Sequence, residues 1–230
     1  VAAVHGIYDE PIEPWTGTMQ AALCDQFANI EGGYGFVIEV APAHPGVLAF
    51  ALPWRNAQAH HDLMKQAGHM AIFIVILRDR HGGRISCDGR GQPVVDYTVS
   101  RDDAGHLIQG AQTAVRLHAA AGAHTIGGPY QNQAEMFPGQ GDDVEAFVSR
   151  FPQLGVIKND LTLFSAHQMS SCRMGGNSRF APVNPDGESY EVKNLFVADG
   201  SALPTATGVN PMISIMALAH RNAQIMKGRL

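Results

Sequence analysis

The run Met70–Leu77 (MAIFIVIL) narrows most what this chain can fold into. It is continuously apolar, rich in β-branched residues, and ends at Arg78. With its β-branched residues and no break before Arg78, the stretch from Met70 to Arg78 predicts a buried strand. It is the longest apolar run in the chain. It falls far short of the roughly 20 residues a spanning helix needs, so no transmembrane segment is expected.

Other elements follow from periodicity. Val1–Ile7 reads as a strand. Tyr34–Val40 does too, with Phe36, Ile38 and Val40 alternating. Ala57, His60, His61, Met64 and Ala67 recur at helical spacing, giving a helix over Asn56–Gly68. Val47–Leu52 is too short to assign as strand or helix. Arg84–Asp88 and Pro93–Val99 flank a glycine-bearing turn and predict a hairpin. Ser100 caps a long helix with Asp102 and Asp103 in its first turn, where the dipole favours acids. Its apolar stripe runs through Leu107, Ala111, Ala114 and Val115, and Gly122 ends it. Gly127–Gly141 reads as a lid or linker, and Asp142 and Asp143 open a short helix to Phe151. Leu195–Ala198 reads as a strand. Asn210 is placed as the cap, and Pro211 as the first residue, of a closing helix that runs to about Lys227. The class is α+β, helices on an antiparallel sheet.

The 230 residues carry a formal charge of −5 and no basic tract, which argues against a nucleic-acid binder working through phosphate neutralisation. Cys24, Cys87 and Cys172 form no C-x-x-C pair, so neither a zinc site nor a disulfide scaffold is expected. Sparse cysteines and the lack of a secretory signal at Val1 fit a reducing, cytoplasmic or membrane-peripheral setting.

Three late segments carry chemistry. His167-Gln168-Met169-Ser170-Ser171-Cys172-Arg173-Met174-Gly175 sets a histidine ahead of small residues, a pattern open to a general base or a core histidine. Cys172 reads as a small packing residue rather than a nucleophile. Ala198-Asp199-Gly200-Ser201 puts a carboxylate and a bare backbone at a strand tip, open to polar recognition or a plain turn. Gly208-Val209-Asn210-Pro211 leads into a helix whose first N–H groups suit an anion, or into an ordinary core helix.

Taken together, in this order and spacing, the three segments resemble the C-terminal part of the glucose–methanol–choline (GMC) flavoprotein oxidoreductases. The wording of His167–Gly175, of Asp199–Pro204 and of Gly208–Ile213 is most similar to the long-chain fatty alcohol oxidase branch. Gly33-Tyr34, His44-Pro45-Gly46, Arg78-Asp79 and the hairpin with Asp88 and Tyr97 extend the likeness upstream. The resemblance implies an FAD cofactor, a small-molecule alcohol substrate, His167 as base and Asn210 as the second catalytic residue. It implies flavin contacts from Asp199, Gly200, Asn210, Pro211 and Met212. It also implies a substrate-binding domain over residues 1–163, and the end of an FAD-binding α/β domain, contributing a strand and a helix, over 164–230. The G-x-G-x-x-G turn that grips the ADP half of FAD has no counterpart here. The chain therefore reads as the C-terminal portion of such an enzyme, needing an N-terminal FAD-binding segment or chain as partner. A dehydrogenase for choline, a sugar or an aromatic alcohol, and a fragment inactive alone, are the alternative readings.

Overall fold

The computed structural model describes residues 1–229. In chain order its elements are β1 (Ala2–Ile7), β2 (Leu23–Cys24), β3 (Phe36–Val40), α1 (Pro45–Ala51), α2 (Ala57–Lys65) and β4 (Met70–Leu77). They continue with β5 (Arg84–Cys87), β6 (Pro93–Asp96), α3 (Arg101–Ala120), β7 (Thr125–Gly127), α4 (Val144–Val148), α5 (Phe151–Leu154) and α6 (Met212–Lys227). The chain divides into two compact units, one of Val1–Leu77 with Val99–Phe164, the other of Arg78–Thr98 with the chain from Ser165 onward. No helix among the described residues is long and apolar enough to cross a membrane.

The first unit is built on an antiparallel sheet in the order β2-β3-β4-β1-β7. β4 sits centrally, between β3 and β1, as its unbroken apolar run requires. Its odd residues Phe73, Val75 and Leu77 join the cluster under α3, with Ala2, Val4, Phe36, Leu107, Ala111 and Val115. Its even residues Met70, Ile72 and Ile74 join Leu48, Leu52, Leu63 and Met64 of the α1–α2 side. Both faces are thus covered, and the missing alternation in β4 is explained.

Local signals set the helices. Ser100 Oγ accepts the Asp103 N–H at 3.1 Å, with Asp102 and Asp103 in the first turn, and α3 stops at Gly122 with φ +87°. Asn56 caps α2 through the Ala59 N–H at 2.9 Å. His44 caps α1, which settles the ambiguous Val47–Leu52 segment as helix.

Gly110 lets α3 lie close on the sheet. A Cβ there would stand 2.3 Å from Val75 Cγ1 and 3.2 Å from Phe36 Cδ2. Gly110→Ala is therefore expected to lower stability by about 1–2 kcal/mol, because overpacking outweighs the better helix propensity of alanine. Urea melts that show a gain in stability instead would mean that helix and sheet relax apart freely.

Several expectations need correction. Leu195–Ala198 forms no strand. Its one ladder contact is the isolated bridge Glu188↔Phe196, and the Val197 amide and carbonyl are taken by Gly187 O and Asn222 Nδ2. Gly127 closes a short edge strand, β7, paired with β1. The helix over 142–151 is split into α4 and α5, with Pro152 in the first turn of the second. Asn210 does not cap α6; Pro211 occupies that position, with no side-chain cap bond.

Candidate active site

The second unit carries the candidate site. Its hairpin β5–β6 pairs Ile85↔Val95 and Ser86↔Val94. The turn is closed by the Asp88 carboxylate, which accepts the Arg90 and Gln92 amides at 2.8 and 2.9 Å. Tyr97 Oη donates to Asp79 Oδ2 at 3.3 Å.

Two of the three late segments meet through backbone contacts, and the third reaches them through a side chain. The Cys172 N–H donates to Ser201 O at 3.0 Å, and the Met174 N–H donates to Ala202 O at 2.9 Å. The stretch that begins at His167 is thereby laid along Gly200–Ala202. Gly200 is buried, and a Cβ on it would stand 3.1 Å from Gln168 O and 3.2 Å from Ile215 Cδ1. The residue after His167 and the first turn of α6 therefore converge on the same glycine. Asp199 caps the short 3₁₀ turn Gly200–Ala202, accepting the Ser201 N–H at 2.7 Å. His167 is half-buried and Asn210 exposed.

The far end of α6 is clamped within the same unit. Asn222, buried in the helix, donates to Val197 O at 2.8 Å and lies against Gly187, whose φ of +88° and missing Cβ make room for it. Arg221 and Arg229 pair with Asp186, and Arg229 also pairs with Glu188. The Arg229 guanidinium, helped by the Asn194 N–H, holds the Glu188 carboxyl below its ordinary range. Nothing in the periodicity marked Asn222, which stands among His220, Arg221 and Gln224 in the polar second half of the helix.

The near end of α6 is different. Met212, Ile213 and Met216 are 65, 68 and 59% exposed, and the helix buries only Leu218 and Asn222. An uncapped helix start beside bare backbone at Gly200 and an open apolar face suits a planar, partly anionic group approached by main chain. These residues fit a flavin.

Comparison with known proteins identifies the family. The family model described as GMC oxidoreductase matches residues 79–219. The chain belongs to the GMC oxidoreductase family. Long-chain-alcohol oxidase FAO4A of Arabidopsis thaliana is 32% identical over 209 residues, covering 89% of this chain and 28% of that protein. FAO3 of the same plant is 32% identical over 191 residues, covering 80% of this chain and 25% of its own. The chain thus spans about a quarter of the length of these relatives. Among solved structures, pyridoxine 4-oxidase from Mesorbium loti aligns with a TM-score of 0.53 at 17% identity, over 97% of this chain and 42% of that one. Formate oxidase of Aspergillus oryzae, in an R554A variant, aligns at 0.56 and 14% identity, over 89% and 33%. At these identities the structural matches speak for the fold alone.

Proposed function

We propose that this chain is the C-terminal part of an FAD-dependent alcohol oxidase or dehydrogenase that converts a primary alcohol to the aldehyde, with a long-chain alcohol the favoured substrate. The observation that carries the reading is the convergence of Gln168, Gly200 and Ile215 within the matched family region. The long-chain preference rests on the plant relatives at 32% identity.

Oxidation of R–CH₂–OH removes a hydride, with its electron pair, from the carbinol carbon and a proton from the oxygen, leaving the C=O double bond. FAD, when bound, supplies the hydride acceptor. His167 takes the hydroxyl proton, since an alcohol is too weak an acid to lose it unaided. Asn210 donates a hydrogen bond to the substrate oxygen and holds the carbinol in line. The uncapped start of α6, at Pro211 and Met212, offsets the negative charge that builds on the cofactor side. Asp199 and Gly200 meet the cofactor with a carboxylate and bare main chain. The substrate domain expected over residues 1–163 corresponds in this reading to the first unit, Val1–Leu77 with Val99–Phe164, since Arg78–Thr98 belongs to the second.

The open face of Met212, Ile213 and Met216 belongs against the partner, an N-terminal flavin-binding segment. The test is anaerobic addition of primary alcohols of increasing chain length to the enzyme assembled with that segment, following the visible flavin band. Bleaching by alcohols is expected, and Asn210→Ala should slow it about tenfold or more with flavin content unchanged. No bleaching by any primary alcohol would overturn the reading.

A further inference from the structure

Arg78 stands immediately before the family-matched region, and the mechanism above gives it no task. It is half-buried, and its Nε donates to Ala206 O at 3.2 Å. Its aliphatic stem lies directly under Gly208. A Cβ at Gly208 would stand 2.8 Å from Arg78 Cβ, 3.0 Å from Cδ and 3.1 Å from Cγ. Gly208 also has φ +74°, a left-handed conformation that favours glycine. One side chain therefore fixes two points of the approach to α6, a carbonyl at Ala206 and a glycine at Gly208. Between and beyond them the turn is held by Thr207 Oγ1, which donates to Val209 O at 2.7 Å. On its other side the turn runs into Pro211, which is buried and accepts the Ile215 N–H at 2.8 Å. Asn210 lies between these two fixed supports.

We infer that Arg78 is a positioning residue for the oxidation, setting the Ala206–Val209 turn and through it the place of the Asn210 amide. The inference rests on the proposed role of Asn210. An arginine suits the task because its long stem packs while its planar head keeps a donor on a carbonyl. Misplacing a group that orients the substrate costs rate more than affinity.

Two measurements test this. The first needs no cofactor. In the assembled enzyme, without flavin, Arg78→Met should speed amide hydrogen exchange over residues 205–210 while leaving the β1–β4 amides unchanged. Exchange that stays at the wild-type rate in that turn would overturn the inference. The second is a double-mutant cycle on flavin reduction in the assembled enzyme. Arg78→Met should slow reduction about 10- to 100-fold with KM little changed. Adding it to Asn210→Ala should slow that variant little further, because both act through one group. Arg78→Lys, which keeps a stem and a donor, should recover part of the loss. Should Arg78→Met fail to fold, Gly208→Ala disturbs the same contact from the other side and should mimic it. Fully additive losses, or normal reduction in Arg78→Met while Asn210→Ala is slow, would overturn the positioning role. If Asn210→Ala itself reduces flavin at the wild-type rate, the role given to Asn210 falls and takes this inference with it, whatever the exchange data show.

Discussion

Replacing His167 with alanine in the flavin-loaded enzyme is expected to slow flavin reduction by a primary alcohol about 10²- to 10⁴-fold, with the flavin still bound. The size follows from the chemistry. An alcohol proton must leave as the hydride leaves, and without a positioned base water must take it. The survival of the fold follows from the structure. The segment is tied down by the Cys172 and Met174 amides on Ser201 and Ala202, and neither bond uses the histidine ring. Gly200, the point of convergence, meets the carbonyl of Gln168 rather than any atom of His167. The variant should therefore keep its flavin and the wild-type flavin spectrum while losing rate, read by anaerobic stopped-flow. A reduction rate equal to wild type would remove His167 from the proton transfer. Loss of flavin along with the rate would make it a scaffold residue instead.

Much of the first unit was legible in the sequence because its signals are local and periodic. The unbroken run of β4, the capped α3 with its stripe, and Asn56 before α2 each state their own environment. The short edge strands were not legible. β2 has only two residues, and β7 is three residues ending in glycine, so neither carries a period; they exist because β3 and β1 offer free edges. Leu195–Ala198 failed the other way. Its pattern suits a strand, but the bonding partners it meets are a turn at Gly187 and a side chain of α6.

The candidate site divides along the same line. Residue types and spacing left each of its three segments open to a plainer reading, and the candidate roles came only from the family resemblance. The mutual support of these segments was not legible, since the contacts that hold the site run between loops, such as Cys172 to Ser201 or Arg78 to Ala206. No periodicity encodes a loop–loop contact. The cap of α6 shows the limit at single-residue scale. An Asn-Pro pair satisfies the rule for a cap and first turn, yet the backbone of Pro211, at φ −90° and ψ 5°, takes the cap position. That leaves Asn210 outside the helix and exposed.

The largest stability effect in the first unit is expected from acid. His5 and His118 lie in and against β1, and both are buried. His118 stacks on Phe73 with ring centroids 4.1 Å apart, in space opened by Gly6, whose Cβ would stand 2.4 Å from its Nδ1. Its Nε2 lies 3.1 Å from Val4 O and its Nδ1 2.8 Å from Tyr8 Oη. The carbonyl accepts only, so Nε2 carries the proton and Nδ1 accepts from the tyrosine, which is the neutral ring with both nitrogens satisfied. His5 fills the space that the missing Cβ of Gly127 leaves. Burial lowers both rings to a pKa of about 4; the Arg55 charge adds to the effect on His5, while for His118 the bond to Val4 O opposes it and the His5 charge adds to it. In the unfolded chain both return to about 6.5. Between these values the unfolded state binds more protons, so stability is complete above about pH 6.5 and falls as pH drops toward 4. The loss is about 3 kcal/mol for each ring once both states are protonated. Urea melts between pH 7.5 and 4.5 should show most of it. The carboxylates of Asp62, Glu145 and Glu188 are held below their ordinary range, so they contribute chiefly at lower pH and leave this window to the histidines. His118→Gln should start less stable, for want of the stacked ring, but lose less on acidification. A wild-type slope in that variant would mean that His118 enters the fold already charged, and that the neutral hydrogen-bond pattern drawn from Val4 and Tyr8 is wrong.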